Sequence, residues 1–240
     1  MLEKNSLLYW YPKIKDLHIP QPETSIFEIP AEVLRNIRQD ELSDKFIADL
    51  AKSNPFGYPV FLRTDQASNK HFWDIASFVS SKETLKRSVF EVISHNLMAD
   101  IMGLPFIAMV FREYIPMASK YKAFHGMPVS PERRYFVRDG QVVCHHPYWV
   151  EEAIRSYGTD KLPSNWRELS AQMNNETLDE INLLTTYSLQ VAKLFKGYWS
   201  VDFCKAADGR WILIDMAEGI KSWHPTNCPK YVQPKPEDLV

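Results

Sequence analysis

Residues 201–219, V-D-F-C-K-A-A-D-G-R-W-I-L-I-D-M-A-E-G, restrict the fold more than any other stretch of this chain. Asp-Gly between apolar or alternating runs is a strong short-range hairpin signal, because both residues tolerate the positive φ of a tight turn. A two-residue turn at Asp208-Gly209 sets Ala207 opposite Arg210. Counting back along both strands then sets Asp202 opposite Asp215. Side chains alternate across a strand, so Asp202 shares a face with Ser200 and Cys204, while Trp199, Val201 and Phe203 point the other way. Facing carboxylates repel, and a divalent cation between them turns the repulsion into a site. Oxygen-only donors from Asp202, Asp215 and nearby Glu218 suit magnesium or manganese rather than zinc. The competing reading is a pair of solvated carboxylates on an exposed sheet face. Against it, Ile212, Leu213, Ile214 and Met216 make the second strand apolar almost throughout, which predicts burial on both faces and a partner for each aspartate.

A second hairpin is expected from residues 134–137 and 141–144 around Asp139-Gly140. Arg133 and Arg134 occupy adjacent positions there, so they face opposite ways. An arginine entering a sheet needs anionic company, either a ligand or an ion pair with Glu132 or Asp139. Upstream, residues 58–62 read as a buried strand that delivers Arg63 to its end, followed by a polar loop containing Ser68 and Lys70. That arrangement can bind phosphate, although the same residue types are ordinary loop composition. The opening forty residues read as short extended pieces punctuated by Pro12, Pro20, Pro22 and Pro30. After them comes a helical stretch with Val33, Leu34, Ile37, Phe46, Ile47 and Leu50 on one face, ending near Asn54-Pro55. Ser80 and Glu83 predict a capping box for a helix striped by Leu85, Val89, Val92, Ile93, Leu97 and Ile101 and closed by Gly103. Residues 106–111 read as a buried strand. Helices are predicted at 165–171 and 177–196, the second opened by Thr177 and Glu180 and ended at Gly197. The whole reads as α+β.

Composition limits the partners. The 240 residues carry a net charge of −2, so non-specific attraction to nucleic acid or acidic membranes is not expected. The 13% of aromatic residues are better explained as core than as stacking platforms for bases. The first thirteen residues lack the pattern of a signal peptide, and the apolar run 104–111 is too short to span a bilayer. Three cysteines, Cys144, Cys204 and Cys228, show no CxxC spacing, so reduced thiols and a cytoplasmic location are expected. Cys144 beside His145-His146, with His224 and Cys228 later, invites a zinc reading. The spacing fits no standard finger, and ordinary surface and core histidines are the expectation. The His125-Gly126-Met127-Pro128 loop reads equally as a plain turn or as an approach to a ligand.

Taken in order, R-T-D-x-x-S-x-K at 63–70, R-E-Y-I-P at 112–116, E-R-R-Y-F-V-x-D-G-x-V at 132–142 and the hairpin at 201–219 resemble the ATP-grasp superfamily across residues 59–222. The chain is most similar to small stand-alone members, a eukaryotic cell-division-cycle assembly factor among them. Its last hairpin is similar to the metal end of D-alanine–D-alanine ligases. The resemblance implies two β-rich lobes with helices enclosing a nucleotide cleft, with residues 1–57 as an abbreviated N-terminal region and 58–240 as the ATP-grasp domain. It implies ATP and magnesium as cofactors. By the same resemblance Arg63 touches the nucleotide phosphates, Lys70 lies in the loop that closes over them, and Glu113, Tyr114 and Ile115 form the hinge that reads adenine. Arg134 approaches the transferred phosphoryl group, and Asp202 and Asp215 hold magnesium. Such ligases usually carry Glu-x-Asn at the last metal position, so with Ala217 unable to ligate, Glu218 would have to replace the asparagine. The activity implied is carboxylate–amine ligation through an acyl phosphate, acting on a small-molecule or peptide carboxylate. An ATP-binding assembly factor that grips a protein client, or a phosphotransferase, is the alternative.

Overall fold

The computed structural model describes residues 3–37, 42–101, 105–155 and 161–233. In chain order its elements are α1 (Leu7–Ile14), β1 (Thr24–Glu28), α2 (Ala31–Ile37), α3 (Asp44–Lys52), β2 (Val60–Thr64), β3 (Phe78–Val79), α4 (Leu85–Ile101) and β4 (Ala108–Glu113). There follow β5 (Tyr121–Ala123), β6 (Met127–Val129), β7 (Glu132–Arg138), β8 (Gln141–Pro147), α5 (Glu151–Arg155), α6 (Trp166–Asn174), α7 (Leu178–Ala192), β9 (Tyr198–Lys205) and β10 (Trp211–Glu218). The class is α+β, as the sequence predicts. No helix among the described residues is long and apolar enough to cross a membrane. The chain divides into two compact units, one of Pro22–Ile115 and Phe124–Met127, the other of Met1–Gln21, Pro116–Ala123 and Pro128–Val240.

In the first of these, the Arg63 unit, the sheet runs β1-β4-β2-β3. One face carries Val60, Leu62, Met109 and Phe111 onto a core completed by Phe46 and Leu50 of α3 and Leu85, Val89, Val92 and Ile93 of α4. The single helical stretch expected after Pro30 is two helices. Ser43, extended at φ −76° and ψ 145°, accepts the Phe46 N–H and starts α3 afresh. The expected box lies one residue later and opens a 3-10 turn, Lys82–Thr84, that leads into α4, with the Ser81 N–H donating to Thr84 Oγ1 at 3.3 Å. The expected stop at Gly103 and the side chain of Ile101 lie outside the described residues. Strand β2 runs to Thr64, which places Arg63 inside it rather than at its end. In the segment Phe124–Met127, Gly126 sits at φ +88°, a backbone conformation that strains any other residue, and a Cβ there would press on the Asp74 carboxylate.

The second, the hairpin unit, has a sheet ordered β10-β9-β7-β8. The face bearing Tyr135, Val201, Phe203 and Leu213 is buried, and α7 packs on β7 and β8. The extended N-terminal segment expected from its prolines is in part the helix α1, with Pro12 inside it. Pro12 removes one helical donor. Burial of Leu7, Trp10 and Ile14 at helical spacing, with the Ser6 side chain accepting the Leu8 N–H, outweighs that loss.

Candidate active site

The hairpin unit sets four polar residues on one rung of its sheet. Register pairs His146 of β8 with Arg134 of β7, Arg134 with Asp202 of β9, and Asp202 with Asp215 of β10. Directly opposed residues share a face, so all four side chains lie on the same side. Arg134 binds Asp202 in a two-pronged ion pair, Nε to Oδ1 at 2.8 Å and Nη2 to Oδ2 at 2.7 Å. Its third arm, Nη1, donates to the Trp223 carbonyl at 3.1 Å, and its guanidinium carbon lies 4.8 Å from the Tyr148 ring centre. Asp202 is only 4% exposed. Burial works against the Arg134 charge, but the adjoining Asp202 carboxylate more than offsets it and raises the arginine pKa. Asp215 is half-buried, with Oδ1 accepting its neighbour's N–H, that of Met216, at 3.1 Å.

The pairing of Asp202 with Asp215 arises by a route that differs from the expected one. Gly209 donates its N–H to the Ala206 carbonyl at 3.0 Å, and Ala206 donates to the Arg210 carbonyl at 2.8 Å, so the loop is Ala207-Asp208-Gly209. Of these only Gly209 lies at positive φ, +90°. A three-residue loop of this kind is a turn closed by a left-handed glycine. It shifts the register by one, with Leu213 opposite Phe203. Ile214 then bulges, and Asp215 returns to face Asp202. Without the bulge, Ile214 would face Asp202 and Asp215 would turn to the opposite side of the sheet.

The two neighbouring arginines separate as alternation predicts. Arg133, fully buried on the other face, reaches Glu176 at 3.1 Å and donates to the Met173 and Asn175 carbonyls at 3.0 and 3.2 Å. It anchors the turn between α6 and α7. Glu176 and Asp202, which pair with Arg133 and Arg134, are distant in sequence, unlike Glu132 and Asp139, the ion-pair alternative to an anionic ligand. Glu218 is not brought to the aspartates. It stands opposite Trp199, on the face away from Asp202 and Asp215, and its carboxylate accepts from Lys4 at 2.9 Å.

In the Arg63 unit, Arg63 is 2% exposed and donates Nε to the Thr64 carbonyl at 2.9 Å. It lies on the sheet face opposite the apolar core, diagonal to Arg112 of β4, whose own partner in register is Phe61. Lys70 opens a short 3-10 turn, Lys70–Phe72, held by the Asn69 amide donating to the Val92 carbonyl at 3.1 Å. Glu113, exposed at the end of β4, exchanges backbone and side-chain hydrogen bonds with Glu23 at 2.9 and 3.4 Å. Tyr114 packs edge-on against Phe78 with ring centres 5.0 Å apart, and Ile115 is half-buried beside it. The Tyr114 hydroxyl is shifted up by burial.

Over residues 53–235 the sequence matches an ATP-grasp domain family, family 3 of its clade. The chain belongs to that family. No curated protein matches it. Among solved structures it is similar to Cdc123 from Schizosaccharomyces pombe, at 16% identity over 91% of this chain and 86% of that one, with a TM-score of 0.56. A C-terminally truncated form of that protein gives the same identity and coverage and a TM-score of 0.57. D-alanine–D-alanine ligase from Bacillus anthracis, complexed with ATP, is 15% identical over 89% of this chain and 53% of that one, with a TM-score of 0.45. At these identities the two Cdc123 structures speak for the fold alone.

Sequence reading passes over several groups that this ATP-grasp protein places beside the predicted residues. Arg112 is a second buried cation on the Arg63 face, and its signal is an arginine alternating with Ala108 and Val110 in a buried strand. Tyr148 and the Trp223 carbonyl complete the surroundings of Arg134. The Ser200 and Ser222 hydroxyls meet at 2.6 Å. Such contacts join segments far apart in the chain, and no local pattern announces them.

Proposed function

We propose that this protein is an ATP- and magnesium-dependent ligase of the carboxylate–amine type, with residues 58–240 as the part that handles the nucleotide. The observation that carries the reading is the rung Arg134–Asp202–Asp215, with Asp202 buried and the other two half-buried: a phosphate-seeking cation and two carboxylates on one face of a sheet. The donor set suits a hard cation. Asp202 gives one lone pair of each oxygen to Arg134 and retains the others, and Asp215 adds carboxylate oxygens from the facing strand. Magnesium held by Asp202 and Asp215 would neutralise phosphate charge. Arg134 would stabilise the charge that develops on the phosphoryl group in flight, held in orientation by the same two-pronged contact with Asp202. Arg63 and Lys70 would bind nucleotide phosphates, and the backbone of Glu113, Tyr114 and Ile115 would read the base. In the reaction a carboxylate oxygen of a small molecule or peptide attacks the terminal phosphorus and ADP leaves. An amine then attacks the acyl carbon, loses a proton and expels phosphate. No side-chain nucleophile is required.

A binding module that grips a protein client with little turnover is the second reading. What favours it is that both Asp202 oxygens engage Arg134 while Glu218 is occupied by Lys4. The test is a thermal shift with ATP, with and without magnesium, on wild type, Asp202→Asn and Asp215→Asn, followed by phosphate release over a panel of carboxylates and amines. At ligand concentrations ~100-fold above the dissociation constant, binding adds about 2.7 kcal/mol. A magnesium-dependent rise lost in both variants, with phosphate released, supports the ligase. The same rise without phosphate favours the binding module, and no rise in wild type removes both.

A further inference from the structure

Two segments remote in sequence bring a second constellation together in the hairpin unit. Cys144 and His146 project from β8, and His224 and Cys228 flank a short turn in the segment after β10. One ligand-capable atom from each lies within 4.8 Å of all the others. We propose that Cys144, His146, His224 and Cys228 form a structural zinc site that fastens the segment after β10 to the edge of the sheet. Two thiolates and two imidazoles are a donor set that selects zinc over the hard cation expected at Asp202 and Asp215.

The geometry is that of a tetrahedral shell slightly opened. Cys144 Sγ and His224 Nε2 stand 3.4 Å apart; sulfur and nitrogen at ordinary zinc distances on a tetrahedron are separated by about 3.5 Å. His224 is already oriented to present Nε2 inward, because its Nδ1 lies 3.0 Å from the Tyr198 hydroxyl and its ring stacks on Phe136 at 4.0 Å between centres. A second ring nitrogen hydrogen-bonded to an oxygen is the usual support of a metal-bound histidine. Cys228 Sγ accepts the Lys230 N–H at 3.4 Å, a contact that steadies a thiolate. His146 Nε2 is buried with no hydrogen-bond partner among the described residues, an uncompensated polar atom that a metal bond would satisfy. His145, between the two β8 ligands, turns to the other face and stacks on Tyr135, so it is excluded by alternation. Few regular elements hold residues 222–233 in place, and a metal clip would supply the constraint that a longer strand or helix otherwise gives. The clip would also hold the Trp223 carbonyl, next to His224, where Arg134 reaches it.

The full-length chain, expressed with zinc in the medium and purified reduced and without chelator, is expected to retain about one zinc per chain. After the zinc is removed, Co2+ titration should give the intense visible bands of a tetrahedral ion together with thiolate-to-cobalt charge transfer. Cys228→Ala should lose both the zinc and the charge-transfer band in proportion to the missing thiolate. Should that variant fail to fold, the wild-type cobalt spectrum decides alone. Substoichiometric zinc with an octahedral cobalt spectrum overturns the proposal. So does full zinc retention in a folded Cys228→Ala, or a Cys144–Cys228 disulfide in the protein as isolated from a reducing buffer.

Discussion

The two Asp-Gly hairpins of the four-stranded sheet in the hairpin unit share a dipeptide and differ in almost everything else about their turns. In the first, Asp139 and Gly140 both lie at positive φ, 46° and 83°, and Arg138 faces Gln141, a two-residue turn. In the second, the loop is three residues long and only Gly209 is left-handed. Each is followed by a bulge, at Val143 in β8 and at Ile214 in β10. The two bulges place different chemistry on the same sheet face. The first puts Cys144 and His146 there, on the side of Arg134, and the second puts Asp215 there, opposite Asp202. A turn dipeptide announces a hairpin, while the bulge behind it decides which side chains the hairpin presents.

The largest effect on ligand binding expected from breaking this comparison is a reciprocal one. Inserting one alanine between Ile214 and Asp215 should set the alanine opposite Asp202, turn Asp215 to the opposite face and abolish the magnesium-dependent part of the ATP thermal shift, up to about 2.7 kcal/mol near saturation. Zinc binding at the other end of the sheet should survive. Inserting one alanine between Val143 and Cys144 should do the reverse, turning Cys144 and His146 away and abolishing zinc retention while leaving the magnesium-dependent shift. Circular dichroism of both insertions against wild type checks that the sheet persists. If each insertion abolishes both signals in a folded protein, the two hairpins do not act separately.

The adjacent arginines sharpen the same contrast across the two faces. Arg134→Ala leaves the Asp202 carboxylate buried and unpaired, and breaking a buried pair in this way costs about 3–5 kcal/mol. Arg134→Ala combined with Asp202→Asn should recover part of that loss in chemical denaturation. Arg133→Ala should cost somewhat less, because Glu176 retains His145 at 3.3 Å and is 17% exposed. Only the Arg134 variant should alter the ATP response. Equal losses of nucleotide binding in both would make Arg134 a structural residue. In the Arg63 unit, Arg63→Ala should weaken ATP far more than adenosine in titration calorimetry, and equal weakening would make that arginine structural too.

Much of this was legible in the sequence, for reasons that can be named. The capping pair Thr177 and Glu180 starts α7, where the Glu180 N–H donates to Thr177 Oγ1 at 3.2 Å, because a cap is a local interaction. Both hairpins were legible for the same reason. The pairing of Asp202 with Asp215 was reached by counting from a two-residue turn, and the count succeeds because a longer loop and a bulge each shift register by one and cancel. Partner choice was not legible. Arg134 with Asp202, Arg133 with Glu176, and Cys144 with His224 all depend on which strands and helices the tertiary fold sets side by side. The histidine and cysteine spacings matched no standard finger because their ligands come from a strand edge and a late turn, so a contiguous motif could not exist. Pro12 was misread because a single residue's helix penalty was set against nothing, whereas burial of Leu7, Trp10 and Ile14 is a sum over the fold.

The smallest effect tests the turns themselves. Asp139 holds a left-handed backbone and accepts the Gly197 N–H at 2.8 Å, so its side chain fastens the first turn to the start of β9. Alanine at that position meets the steric cost of the left-handed region and loses the hydrogen bond, for a total of about 1–2 kcal/mol. In a chain of this size that lowers Tm by about 3–6 °C. Asp208 is different. It is not at positive φ, and its carboxylate, shifted down by the Arg210 side chain, is exposed. Asp208→Ala should therefore move Tm much less than Asp139→Ala. Asp139→Gly, which removes the steric cost but also the hydrogen bond, should fall between the two. If Asp139→Ala and Asp208→Ala shift Tm equally, the two turns are energetically alike. The distinction between a two-residue and a three-residue loop would then have no consequence for stability, and the bulges alone would account for what separates the hairpins.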